Sequence, residues 1–277
     1  MKTKVIAEAG INHNGSLEKA LRYIDAAAES GADYIKFHHA ISKEMINLDE
    51  KRIAWNDKHD ANIEPIDRFV ERMELSSKEL SILKSHSAKK NIGFMLSVYD
   101  RVSAEEALDI GINNIKLASC DFIKKDLINF LYQHVDNLVL ATGMVDSSEL
   151  EQAKDYIDPK KTSVLHCVSL YPTPYKLANL KFIETLKTFG WKSGYSDHTK
   201  GIGMCVLSLE FNPYYIEKHF YLEEDEECAD KSVSCLPREL KELCEIIKFH
   251  NEIYGDGHKN ISKAEADNRN KFRNRWK

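Results

Sequence analysis

The sequence has no pair of cysteines at C-x-x-C spacing, no apolar run near the roughly 18 residues of a membrane span, and no excess of basic charge. Each absence removes a class of function. The six cysteines, Cys120, Cys167, Cys205, Cys228, Cys235 and Cys244, are scattered. The first residues enter a strand pattern directly, without the charged, apolar and cleavage segments of an export signal. Reduced thiols and a cytoplasmic location are therefore expected. Lys and Arg number 39 against 44 Asp and Glu, a net charge of -5, and the one block of five like charges, 223–227, is acidic. That balance argues against nucleic acid or an anionic membrane as the partner. Also missing is a Gly-rich first turn, the mark of a dinucleotide-binding open sheet.

What is present is an alternation. Short runs rich in Val, Ile, Tyr and Phe fall at 4–9, 34–38, 93–98, 114–118, 137–141, 163–168, 192–196 and 215–220, with segments of helical period between them. Leu17, Leu21, Ile24 and Ala28 share one helical face, and Ser76/Glu79, Ser103/Glu106 and Ser148/Glu151 have capping-box spacing. A last helix is expected over about 237–254. Eight strands each followed by a helix predict an α/β fold, the closed (β/α)8 TIM barrel; a doubly wound open sheet is the competitor. At 277 residues the chain suits one such unit. Residues 42–67 break the rhythm and read as a long active-site loop. A barrel over 1–257 is expected, followed by a polar, basic, solvated tail over 258–277.

In such a barrel, catalytic groups come from the carboxyl ends of the strands and the loops after them. Lys36 and Lys116 sit near the ends of apolar strands, where an ammonium must meet a counter-charge. That charge is either an anionic substrate or a buried carboxylate, Glu8 or Glu217. With Ser97, Ser119, Thr142 and Ser196 as hydroxyl donors, the two lysines favour a small ligand bearing phosphate and carboxylate. His198 and His219 end neighbouring strands, flanked by Asp197 and Glu217. Taken singly each is a core histidine; as a pair they point to one divalent ion with positions open for water and substrate. Met144, Phe94, Phe122 and Phe211 are expected to fill core or pocket wall.

The stretches AEAGINHNG, ADYIKFHH, IKLASCD, ATGM, HCVSLYPTPY, GYSDHTKGI and IEKHF, in this order and spacing, resemble the sialic acid synthase family over nearly the whole chain. The resemblance implies a condensation of phosphoenolpyruvate with N-acetylmannosamine or a related open-chain amino sugar. Carbon 3 of phosphoenolpyruvate attacks the aldehyde, water attacks carbon 2, and phosphate leaves. It further implies that Lys36, Ser97, Lys116, Ser119, Ser169 and Ser196 hold substrate. His198 and His219 would bind Mn2+, or Mg2+ or Co2+. Glu8, Asp121, Tyr171 and Asp230 would face the sugar or the attacking water.

Against that family pattern Asp121 stands where Glu is common, Ala141 and Ser97 where Ser and Thr are, Ser169 where Asn is, His38 where Gln is, and Lys231 where a histidine is. The family continues past the motif resembling EADNRNKFR into an antifreeze-like domain that closes over a partner's site and donates an arginine. Here the sequence ends at Lys277. A homodimer or a separate lid-providing chain is therefore the expected partner. A catalytically impaired barrel that binds sugar or serves as a regulatory subunit is the alternative reading. A Schiff-base aldolase using Lys36 or Lys116 is a third, disfavoured by the histidine pair.

Overall fold

The computed structural model describes residues 2–44, 66–223, 228–273 and 275. Eight strands, all parallel, close into one barrel in chain order: β1 (Lys4–Gly10), β2 (Tyr34–His39), β3 (Gly93–Val98), β4 (Ile115–Leu117), β5 (Leu138–Ala141), β6 (Thr162–Cys167), β7 (Lys192–Asp197) and β8 (Tyr215–His219). Each expected strand is present. The helices that follow β1 to β3 are α1 (Leu17–Ser30), then α2 (Ile66–Met73) with α3 (Ser77–Lys89), then α4 (Arg101–Asp109). After β4 to β7 come α5 (Lys125–Leu131), α6 (Ser147–Ala153), α7 (Phe182–Thr188) and α8 (Gly203–Ser208). After β8 come α9 (Pro237–Ile253) and α10 (Lys263–Phe272). Most of the 42–67 loop, and 224–227 of the acidic run, lie outside the described residues.

Because side chains alternate across a strand, each strand offers one residue in two to the barrel interior. At the amino-terminal end Ile6, Met95, Val139, Leu165 and Tyr215 form an apolar layer, with Tyr34 and Tyr214 packed against it. Two residues further along β1, β2, β3 and β8 the interior turns polar, at Glu8, Lys36, Ser97 and Glu217, with Ser196 of β7 beside Glu217. Apolar packing thus closes the base, and the polar chemistry sits toward the carboxyl ends. The alternate set, including Val5, Ala7, Ile35, Leu96, Leu117, Leu140, Val164 and Ile216, faces outward into the main core beneath the helices.

Helix ends show where local chemistry overrides spacing. Ser76 and Glu79 form the expected capping box. The other two boxes start upstream, at Asp100 and Asp146, whose carboxylates accept from Ser103 and from Ser148 and Glu149. An aspartate two or three residues earlier supplies a good cap acceptor, so these helices begin before the serine. Glu106 is thereby freed, and it accepts from Ser77 at 2.6 Å and meets His39 at 3.1 Å. In α1 the buried face is Ala20, Tyr23, Ile24 and Ala27, with Leu17, Leu21 and Ala28 along its edges. The 258–277 segment holds a helix, α10, capped by Ser262 and without a buried side chain.

Candidate active site

Four strands, β1, β2, β4 and β8, bring the two lysines and their counter-charges together. Lys36 Nζ lies against the Glu8 carboxylate, donates to Ser97 Oγ at 2.8 Å, and sits 3.7 Å from Glu217 Oε2. Lys116 Nζ donates to Glu217 Oε1 at 2.5 Å, and the same oxygen accepts from Ser196 at 2.9 Å. Both lysines therefore have carboxylate partners inside the barrel. Each ammonium carries three N–H donors, so these pairs leave donors over for a ligand. Burial pushes Lys36 down to about 7, opposed by Glu217. Glu217 is held below the carboxylate range: burial opposes this, and Lys116 with Lys36 outweighs burial.

One layer nearer the mouth, His198 and His219 have ring centres 5.3 Å apart. Two imidazoles sharing one ion through bonds of about 2.0–2.1 Å place their centres at about this separation. The His198 Nδ1 lies 3.0 Å from the Val168 carbonyl, which therefore takes its N–H, and Nε2 faces the Tyr171 hydroxyl at 3.2 Å. Anchoring one nitrogen on a carbonyl and leaving the other as a lone pair is how metal-binding histidines are held. His219 Nδ1 is buried without a hydrogen-bond partner, 3.4 Å from Asp230 Oδ2. These residues fit a divalent ion. No three His, Cys, Asp or Glu side chains converge as a ligand set among the described residues, so water or substrate would complete the shell.

Asp230 reaches this layer because Asn12 accepts from its backbone N–H at 2.9 Å while donating to the Phe220 carbonyl at 3.0 Å. Gly10, in the left-handed region at φ 53°, leaves room for this approach: a Cβ there would lie 3.1 Å from Asp230 Oδ2 and 3.4 Å from Glu8 Oε1. Ser119 and Ser169 converge on Gly143, whose added Cβ would meet their hydroxyls at 2.7 and 2.0 Å. Polar residues at and just after the ends of seven strands thus gather at one end of the barrel as a charged floor, a histidine pair and a hydroxyl cradle.

A profile of the NeuB family matches residues 23–259. The chain belongs to the NeuB family. It is 35% identical over 275 residues to the N,N'-diacetyllegionaminic acid synthase of Campylobacter jejuni, covering 97% of this chain and 82% of that protein. The enzyme of the same name from Legionella pneumophila is 30% identical over 269 residues, 94% of this chain and 76% of that one. The crystal structure of N-acetylneuraminic acid (sialic acid) synthetase from Leptospira borgpetersenii serovar Hardjo-bovis, in complex with citrate, superposes with a TM-score of 0.84 at 33% identity. That match covers 99% of this chain and 93% of the other.

Within this NeuB-family barrel, Glu8, Lys36, Ser97, Lys116 and Ser196 share the charged layer, and Tyr171, His198, His219 and Asp230 the layer above. Tyr171 is 51% exposed and stacks on His198 at 4.2 Å between ring centres. Asp121 stands apart at the rim. Lys124 meets its Oδ1 at 2.7 Å, its Oδ2 has no hydrogen-bond partner, and burial raises its carboxyl against the pull of Lys124.

Asp197, expected beside the histidines, points outward. It pairs with Lys218 at 2.9 Å and accepts from Tyr195 and Thr199. Ser196 faces inward, so its neighbour cannot. Met144 fills neither core nor wall: it is 70% exposed, at φ 64° in the turn after β5. Lys231 lies over the Tyr221 ring, leaving Asp230 against His219. Two groups escaped the sequence reading. Cys167 ends β6 inside the barrel, 3.7 Å from His198 Nδ1, and Tyr99 covers His38; alternation along β3 and β6 was the available signal.

Proposed function

We propose that this NeuB-family enzyme condenses phosphoenolpyruvate with an N-acetylmannosamine-like amino sugar, giving a sialic acid or related nonulosonic acid and phosphate. The observation that carries the reading is the layered site: two lysines and a cradle of hydroxyls below, and two histidines with an acid above. Lys36 and Lys116, with Ser97 and Ser196, hold the anionic groups of phosphoenolpyruvate, and Ser119 and Ser169 beside Gly143 contribute hydroxyl donors. The sugar aldehyde lies toward Tyr171, Asp121 and the histidines. His198 and His219 hold a divalent ion, Mn2+ or else Mg2+ or Co2+, which when bound supplies a Lewis acid.

Bond making follows from this placement. Carbon 3 of phosphoenolpyruvate faces the aldehyde carbon and forms the new bond as the carbon 2–carbon 3 π bond breaks; the carbonyl π pair moves onto the aldehyde oxygen, which takes up a proton to become a hydroxyl, and carbon 2 is left electron-poor. Water then adds to carbon 2, its proton passing to the carboxylate of Glu8 or Asp230, and the carbon–oxygen bond to phosphate breaks. The exposed Tyr171 at the mouth and the expected lid-providing partner or second copy bear on water exclusion. No helix of the described residues is long and apolar enough to cross a membrane, and we place the reaction in the cytoplasm.

The test is the mass of the product. With phosphoenolpyruvate, Mn2+ and a panel of free N-acylated amino sugars, the expected product is the sugar plus phosphoenolpyruvate plus water less phosphoric acid. His198→Ala and His219→Ala are expected to lose it. Full product formation by either variant contradicts the metal assignment, and no product with any sugar, from a folded wild type, contradicts the activity.

A further inference from the structure

One histidine of the site has a ring nitrogen hydrogen-bonded to a tyrosine and the other facing a carboxylate, an arrangement the reaction above leaves unused. His38 projects inward from β2 in register with Ser97, and Tyr99, two residues beyond Ser97, reaches over it. The Tyr99 hydroxyl is 2.9 Å from His38 Nδ1, and the rings meet edge to face, 5.6 Å apart at 71°. The other nitrogen, Nε2, is 3.8 Å from Glu8 Oε1. That oxygen otherwise receives the Gly10 N–H at 2.6 Å, while Oε2 is committed to Lys36.

We propose that Tyr99 and His38 are positioning residues for Glu8: the Tyr99 hydroxyl donates to Nδ1, holds the neutral imidazole as its Nε2–H tautomer, and aims that N–H at Glu8 Oε1. The inference rests on the reading of Glu8 as a group beside the attacking water. A carboxylate oxygen only accepts, so the nitrogen that faces it favourably is the one bearing hydrogen. A neutral ring has a single N–H, which leaves Nδ1 as an acceptor, and the Tyr99 hydroxyl is the donor beside it. Burial first, and the Lys36 ammonium second, hold His38 well below the usual histidine range, so the ring is neutral. The 3.8 Å gap exceeds a hydrogen bond, as is common in sites that tighten when substrate binds. Since Lys36 fixes one oxygen of Glu8, His38 and Gly10 decide where the other faces.

The tautomer is read directly from two-bond proton–nitrogen spectra of the full chain labelled with 15N-histidine, with His38 assigned by its loss in both His38→Gln and His38→Ala. The expected wild-type pattern is a protonated Nε2 and an unprotonated Nδ1; in Tyr99→Phe the two signals move toward each other as the tautomers mix. A protonated Nδ1 in the wild type, or an unchanged pattern in Tyr99→Phe, overturns the proposal. Turnover supplies the second readout. Tyr99→Phe is expected to lower kcat, by up to about 100-fold, at unchanged KM for phosphoenolpyruvate. The same change made in His38→Gln is expected to have no further effect, because an amide already presents an N–H and there is no ring to orient. Equal losses in both backgrounds mean that Tyr99 acts by packing alone, and overturn the proposal. A wild type without turnover speaks against the proposed reaction, whereas the spectra still decide the role of Tyr99.

Discussion

Glu217 is the residue on which the charged floor depends. It carries hydrogen bonds from Lys116 and Ser196 and the field of Lys36, all within the barrel. Removing its charge takes from Lys116 its carboxylate partner inside the barrel, and breaking such a buried pair costs roughly 3–5 kcal/mol. Glu217→Gln is therefore expected to lower the thermal midpoint as well as activity. The pH dependence follows the same contact. The folded Glu217 lies below its unfolded value of 4.5, so its stabilisation is complete above that pH and is lost as the pH falls below it. Melting curves between about pH 3 and 6 should show a steeper acid limb in the wild type than in Glu217→Gln; parallel limbs contradict the assignment. Lys36, Lys116 and the histidine pair were legible in the sequence because charge at the end of an apolar strand is conspicuous. Asp197 was misplaced for a physical reason: both faces of these strands are buried, so polarity does not reveal which face a residue takes. Asp230 reaches the site through Asn12, 218 positions earlier, a contact that no local pattern encodes.

At the scale of elements, strand runs were plain because buried parallel strands are continuously apolar and bounded by turns. Helix starts were less so. Three Ser-x-x-Glu spacings looked alike, yet only Ser76 caps its helix, since Asp100 and Asp146 lie upstream of the other two. For α6 this gives a clean contrast. Asp146→Ala is expected to cost about 1 kcal/mol in chemical denaturation, the usual worth of a cap, while Ser148→Ala should be nearly neutral. The reverse order would restore the cap to Ser148.

For the whole molecule, closure by eight parallel strands puts every site group at one end and closes the other with apolar packing, including Tyr214 and Tyr215. The strand count and alternation made that architecture readable. The helix α10 was not readable, because its sequence is polar all round and it buries nothing. Deleting 259–277 is accordingly expected to shift the thermal midpoint by less than about 2 °C; a larger drop shows that the segment braces the barrel. Phosphate release shows whether this fold joins phosphoenolpyruvate to an amino sugar. Wild-type protein with phosphoenolpyruvate should release phosphate only when both a divalent metal and a suitable N-acylated amino sugar are present. Release that is independent of the sugar, or none with any sugar from protein that binds phosphoenolpyruvate, would contradict it.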